Sequence, residues 1–416
     1  MTSSVSLDIE SIAAGGDGIA RHDGLVVFVP RTAPGDRVRA RIQTKGRMAR
    51  GVLQSVERAA PSRVTPACPH YENDQCGGCQ LQHLSLDAQR EAKRRIVVDA
   101  FRRIGRRDVP LPELQAGALA WRYRRKLTLA LRRADGRWLA GLHVLGDPDR
   151  IFALDDCHIA DERLMVVWRE ILAASSLLPD AARLRGAVRL VDGPDKQTAF
   201  TLEGATRWTT HADFFARVPS LASLWWIPDA GVRCRLHDRR DTTAAGTADA
   251  SFAQVNLDVS ARLGRFVTTT VMAHTPSTVI DGYAGTGDQA VRLSALGVRV
   301  TAIELDGDAS AVCAGRLPGG SRALHARVED ALSSALPADV VILNPPRAGV
   351  DTRVTARLAP ELPLRAIVYV SCDPATLARD VARLPGWRVA RIAAFDMFPQ
   401  TAHVETVCEL VPERAP

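Results

Sequence analysis

The residues best equipped to do chemistry stand where the sequence changes period near its C-terminus. Ile367-Val-Tyr-Val-Ser371 is an apolar, β-branched run that predicts a buried strand. Beyond it, Leu377, Val381 and Leu384 follow helix spacing, with Asp373 as N-cap and Pro374 at the first helical position. Cys372 therefore falls where a strand hands over to a helix, the end of an α/β strand at which ligands bind. A helix N-terminus favours the thiolate and should lower the Cys372 pKa, making it a nucleophile. A small buried packing thiol fits the same position.

A second set of reactive residues is Cys68-Pro-His-Tyr-Glu-Asn-Asp-Gln-Cys76-Gly-Gly-Cys79. Cys76 and Cys79 bring two sulfurs together on a tight turn, and Gly77-Gly78 lets the backbone wrap a metal centre. Cys68 adds a third thiol at a spacing that does not repeat a zinc-ribbon pair. Cys157, in Leu154-Asp-Asp-Cys-His-Ile159, is the expected fourth. Three clustered thiols and a distant fourth favour an iron–sulfur cluster, with zinc as the alternative, since both use four cysteines. His70, His83 and His158 flank the set and read as surrounding residues rather than ligands.

A third set is a strand, Thr278-Val-Ile-Asp281, running into Gly282-Tyr-Ala-Gly-Thr-Gly287. A helix over 289–296 follows, then the strand Val298–Ile303 ending in Glu304. This βαβ arrangement binds an adenosine cofactor, with the acid on the ribose hydroxyls. The turn alone does not choose among NAD, FAD and S-adenosylmethionine. Further along, Val340-Val-Ile-Leu-Asn-Pro-Pro-Arg347 ends a buried strand, and its prolines fix a rigid exit presenting Asn344 at the sheet edge. Such an edge suits a flat nitrogenous base.

These sets need elements to hold them. The chain has 416 residues, 46% hydrophobic and 24% charged, enough for two or three packed domains. No run of about 18 or more apolar residues suggests a membrane span. Nor does the N-terminus read as a secretory signal. The expected compartment is the cytoplasm, where the eight cysteines serve as ligands, nucleophile or buried thiols rather than disulfides. A net charge of +7 makes an acidic partner worth seeking.

Residues 1–60 read as short strands with tight turns, at Gly15-Gly-Asp-Gly18 and Pro34-Gly-Asp36, and predict a small barrel of oligonucleotide-binding type. Alternation puts Arg37, Arg39 and Arg41 on one face. A helix is expected from Leu86 to about Gly105, with Ile96, Val97, Ala100 and Ile104 on its apolar face. Its other face carries Arg90, Lys93, Arg94, Arg102 and Arg103. With Trp121-Arg-Tyr-Arg-Arg-Lys126 it makes a candidate basic, aromatic RNA surface. A solvated face beside a core Trp is the plain alternative. Residues 61–248 are expected to form a central α+β domain, with a polar loop over 238–249.

Gly16-Asp-Gly-Ile-Ala-Arg21, Val26-Val-Phe-Val-Pro30 and Pro34-Gly-Asp-Arg-Val38 resemble the TRAM domain, an RNA-binding barrel. Phe252-x-Gln254-x-Asn256, Asp281-x-x-x-Gly285-x-Gly287, Asn344-Pro-Pro-Arg347, Ser371-Cys372 and His403-x-Glu405 resemble, in order and context, the motifs of RNA uracil-5-methyltransferases. With the TRAM segment and the cysteine set, the likeness points to the branch acting on 23S ribosomal RNA. It implies three domains: a TRAM β-barrel over 1–60, an iron–sulfur domain over 61–248, and an α/β Rossmann-like methyltransferase domain with a seven-stranded sheet over 249–416. It implies S-adenosylmethionine and a [4Fe-4S] cluster on Cys68, Cys76, Cys79 and Cys157. It further implies Gln254, Tyr283, Asp288, Glu304 and Asn344 around the cofactor, Cys372 as nucleophile, Glu405 as base, and a monomer acting on ribosomal RNA. Asn344 and Asp288 depart from the pattern, which in this branch has Asp and Asn there.

The chemistry is consistent with that set, because methylating uracil C5 needs a nucleophile for C6, a base for the C5 proton and a methyl donor. An NAD(P)-dependent oxidoreductase would explain the glycine turn and Glu304 but leave Asn344, Cys372 and Glu405 without a role. A non-catalytic RNA-binding protein would require Cys372 to be inert.

Overall fold

A computed structural model of the chain describes residues 3–46, 48–191, 198–240, 249, 251, 254–358 and 363–413. Phe252 and most of the loop expected over 238–249 lie outside the described residues. The chain divides into two compact units. One comprises residues 1–65, 80–118 and 258–416, the other 66–79 and 119–257.

The first unit opens with a six-stranded sheet, ordered Ser3–Asp8, Arg37–Lys45, Met48–Arg58, Leu25–Val29, Gly18–His22, Ser11–Ile12. The alternation at Arg37–Ile42 is real: Val38, Ala40 and Ile42 are buried, while Arg37, Arg39 and Arg41 face out. Two of these arginines are already partnered. Arg39 Nη2 lies 2.9 Å and Arg37 Nε 3.7 Å from the Glu57 carboxylate.

The helix expected from Leu86 is α-helical over Leu86–Ala100, capped by Ser85, whose Oγ accepts from Ala88 N at 3.4 Å. It continues as a π-helical turn, Phe101–Gly105. A π-turn slips the phase of the helix. Phe101 and Gly105 therefore face the core, and Ile104, expected inside, is exposed. The basic face is also not what the spacing predicted. Lys93 is fully buried, Arg94 and Arg95 bond Glu91, and Arg102 bonds Asp99. Lys93 is thus withdrawn from any phosphate-binding face, while Arg102 and Arg103 of the expected set remain mostly exposed.

The unit's second sheet has eight strands, ordered Arg322–His325, Arg299–Glu304, Thr278–Gly282, Val340–Leu343, Ala366–Ser371, Glu405–Pro412, Trp387–Phe395, Glu113–Gln115. The first five run parallel, and Glu405–Pro412 is antiparallel to Ala366–Ser371. Val340–Leu343 and Ala366–Ser371 are buried at every position, as a strand covered on both faces must be. The strand beyond the expected seven, Glu113–Gln115, pairs in parallel with Ala393–Phe395.

The second unit is an α+β body around a seven-stranded sheet, largely antiparallel but with Thr198–Glu203 and Leu221–Ile227 parallel. The helix Glu162–Ala173 contributes Leu164, Trp168 and Ile171 to its core, with Leu129, Leu131, Phe200 and Phe214 from the sheet and adjoining helix. Among the described residues no helix is long and apolar enough to cross a membrane.

Candidate active site

Asp373 caps the helix Pro374–Val381 as the sequence predicts, accepting from Ala375 N at 2.9 Å and Thr376 N at 3.1 Å. Cys372 is half-buried at this junction. Ser371 is the register partner of Thr406, so Cys372 and Glu405 extend two adjacent antiparallel strands from the same rung. Glu405 is buried, and that burial pushes its carboxyl up to about 7, against a weaker downward pull from Arg347. The Cys372 thiol is also raised, first by burial and then by the Glu405 charge, while Arg347 opposes both through its charge and a hydrogen bond. Desolvation and a facing carboxylate thus act against the lowering expected from the helix N-terminus.

Arg347 is the group that sequence reasoning missed. It lay inside a quoted motif without a role, yet it faces both Cys372 and Glu405. Its loop is gripped by the helix that follows Cys372. Thr376 Oγ1 donates to Arg347 O at 3.1 Å and Arg379 Nη2 to Ala348 O at 2.7 Å. The buried Asp380 accepts from Val350 N and from the Tyr369 hydroxyl. Gly349 has φ +81°, and a Cβ there would lie 2.2 Å from Asp380 Oδ2, so only glycine fits.

The cofactor residues occupy the same sheet, at the ends of Thr278–Gly282, two strands from Ala366–Ser371, and of Arg299–Glu304, one strand beyond that. Gly285 and Gly287 both have positive φ. A Cβ on Gly287 would meet Cys313 Sγ at 2.3 Å, whereas one on Gly285 would meet nothing within 4 Å. The Glu304 carboxylate accepts from Gly285 N and from Asp306 N, both at 2.7 Å, which fixes it at the turn. Asp281 is buried, its carboxyl pushed up to about 7 by burial and by Glu304 and Asp288, and its Oδ2 has no hydrogen-bond partner. An open glycine turn, an oriented acid and an orphaned buried acceptor fit an adenosine-bearing cofactor. Tyr283, itself at φ +63°, is part-buried beside them. Asn344 is part-buried, and its N–H donates to Gly282 O at 3.2 Å. Asp288 instead reaches outward to Arg316, at 2.7 Å. Gln254 belongs to the other unit, part-buried near its C-terminal end.

Cys68, Cys76, Cys79 and Cys157 are all buried in the second unit. Gly78 N donates to Cys76 Sγ at 3.4 Å, and the Cys157 sulfur accepts from Ala160 and Ile159 amides. Cys68 is close enough to influence the Cys157 thiol, which burial raises. Amide bonds to sulfur favour the thiolate form that either an iron–sulfur or a zinc site would need. Among the described residues, no group of three or more His, Cys, Asp and Glu side chains is gathered so that it could hold a metal ion.

The glycine turn and the acid ending the next strand fit an adenosine-bearing cofactor, and comparison with known proteins makes the class that of methyltransferases using S-adenosylmethionine. The family model for tRNA (uracil-5-)-methyltransferases matches residues 320–412, and that for the TRAM domain matches residues 3–53. The 23S rRNA (uracil(1939)-C(5))-methyltransferase RlmD of Chromohalobacter salexigens is 33% identical over 96% of this chain and 88% of its own. That of Halomonas elongata is 32% identical over the same shares. An uncharacterized RNA methyltransferase of Protochlamydia amoebophila is 30% identical over 97% of this chain and 96% of its own. The chain belongs to the RNA uracil-5-methyltransferase family. In fold it is similar to the tRNA (uracil-54, C5)-methyltransferase of Pyrococcus abyssi, crystallised with S-adenosyl-L-homocysteine. That likeness has a TM-score of 0.71 at 24% identity and covers 97% of this chain and 99% of that one.

Proposed function

We propose that this chain methylates C5 of a uridine in 23S ribosomal RNA through a transient covalent bond between Cys372 and C6 of the base. The observation that carries the reading is the convergence of Cys372, Glu405 and Arg347 at one end of the sheet that bears the glycine turn and Glu304. Uracil C5 is a poor nucleophile. Addition of the Cys372 sulfur at C6 leaves the electron pair on C5 as an enolate carbon. S-adenosylmethionine, when bound, supplies the methyl group. Glu405 then takes the C5 proton, the double bond re-forms and the Cys372–C6 bond breaks, returning the thiolate. A carboxyl pushed up to about 7 is matched to that task at neutral pH. Arg347 stabilises the charged forms of both partners, and its grip by Thr376, Arg379 and Asp380 keeps it there.

Glu304 holds the ribose hydroxyls, with Tyr283, Asp288 and Asn344 around the donor or the base. The uridine must leave any stack to reach Cys372. The ribosomal substrate is supported by the named activity of the relatives and by the TRAM match, and it locates the work in the cytoplasm. Every residue named is on one chain, so a monomer suffices. Cys68, Cys76, Cys79 and Cys157 hold a [4Fe-4S] cluster with a structural role in the domain over 61–248.

Incubating the protein with S-adenosylmethionine and unmodified 23S or transfer RNA transcripts, then mapping 5-methyluridine by mass spectrometry, tests the reading. Product in the 23S transcript alone is expected. Product only in transfer RNA would overturn the substrate, and product in neither would overturn the activity.

A further inference from the structure

Lys93 is fully withdrawn from solvent, and nothing in the proposed chemistry uses it. Its Nζ lies 2.5 Å from Asp396 Oδ1, also buried, and donates to Phe398 O at 2.9 Å. One turn earlier on the same helix, Gln89 is engaged at both ends of its amide. Its Nε2 donates to Gln400 Oε1 at 3.0 Å, and its Oε1 accepts from Gln400 N at 2.9 Å. Gln400 has φ +70°, a left-handed conformation that a non-glycine residue keeps only when its surroundings impose it. Leu81 N donates to Gln400 O at 2.9 Å, and Ala402 N donates to Gln80 Oε1 at 3.3 Å. The segment from Asp396 to Val404, which ends at Glu405, is thus held at four of its residues from outside.

A buried ion pair is poor at adding stability, since apolar side chains of similar volume often replace one without loss. What Lys93 adds is direction, because it fixes one carboxylate and one carbonyl at defined points of a non-regular loop. We propose that Lys93 and Gln89 are positioning residues for proton removal, setting the Glu405 carboxylate against C5 of the methylated base. This rests on Glu405 being the base.

The test uses the full chain as Glu405→Gln, Lys93→Met, Gln89→Met and the double variant Lys93→Met/Asp396→Leu. The double variant removes both charges, so it covers the case in which the single Lys93 variant fails to fold. Each is mixed with unmodified 23S transcript and radiolabelled S-adenosylmethionine. Single-turnover methyl transfer and the fraction of enzyme joined to methylated RNA on denaturing gels are read together. Misplacing a catalytic group by about 1 Å costs on the order of 100-fold. The double variant and Gln89→Met should therefore keep first-round transfer within about threefold while turnover falls about tenfold or more and the methylated adduct accumulates. A purely structural Lys93 would lower soluble yield yet leave turnover per folded molecule and adduct fraction unchanged, which would overturn the proposal. If Glu405→Gln shows no adduct, the reading of Glu405 as base fails and the proposal falls with it. Adduct in Glu405→Gln but in none of the others refutes the positioning role alone.

Discussion

Cys372 and Glu405 adjoin the two members of the Ser371–Thr406 register pair, so thiol and carboxyl extend neighbouring antiparallel strands from one rung. The distinct tasks of the two groups follow from that placement and give the first prediction. Cys372→Ala should abolish 5-methyluridine formation and leave no covalent complex, while melting close to wild type, because the side chain is only half-buried. Glu405→Gln should accumulate methylated RNA bound to Cys372. Persistent methylation per folded Cys372→Ala molecule would reduce Cys372 to a packing residue.

The second prediction concerns pH. Glu405 is raised from an ordinary 4.5 to about 7, so below that value it is protonated and cannot accept the C5 proton. Turnover at saturating RNA should rise with pH through about 7. The linkage runs the other way for stability. Between 4.5 and 7 the unfolded chain has lost a proton that the folded chain keeps, so this group's contribution falls as pH rises. Urea unfolding should show Glu405→Gln gaining on wild type from pH 5 to pH 8, with no gain at pH 4.

Arg347 supplies the third. It opposes the rise in the Cys372 pKa, so Arg347→Gln should slow adduct formation about tenfold or more and move its pH dependence upward. Trapping with a 5-fluorouridine substrate, from which no C5 proton can leave, isolates that step. An unshifted profile would remove Arg347 from the thiol's environment.

Gly287 carries the fourth. With φ +81° and Cys313 Sγ at 2.3 Å from any added Cβ, Gly287→Ala should cost about 1–3 kcal/mol in urea unfolding and weaken S-adenosylmethionine binding. Gly285→Ala, where the space is open, should lose only the φ part of that cost.

The fifth addresses the metal centre and the barrel. Anaerobically purified protein should contain iron and sulfide, and Cys157→Ser should lose both along with soluble yield; one zinc and no iron would overturn the cluster. On the N-terminal sheet, Glu57→Gln should free Arg39, while Arg37 keeps Asp8, raising RNA affinity and steepening the log–log salt slope by up to about 0.7–0.9.

What could be read from the sequence was local or periodic. The continuous run Ile367–Val370 announces a strand buried on both faces, and Asp373-Pro374 announces the helix that follows. What could not be read depended on distant partners. Helix spacing puts Lys93 on a polar face, and nothing nearby reveals that its counter-ion is Asp396, 303 residues on. The dipole argument for Cys372 uses neighbours in sequence, whereas its pKa is set by burial and by Glu405 from another strand. Ile104 was misplaced because a π-turn interrupts a period that the residue types continue.

The short strand Glu113–Gln115 closes the edge of a sheet whose other strands all come from beyond residue 277. Asp396 N also donates to Gln115 O at 2.8 Å, so the strand reaches the loop leading to Glu405. A fragment beginning at 249 would leave Trp387–Phe395 as a bare edge, its amides and carbonyls free to recruit another chain. During synthesis the covering strand is made long before the strand it covers. Proteolytic excision of the C-terminal part should therefore yield aggregates rather than a small working enzyme.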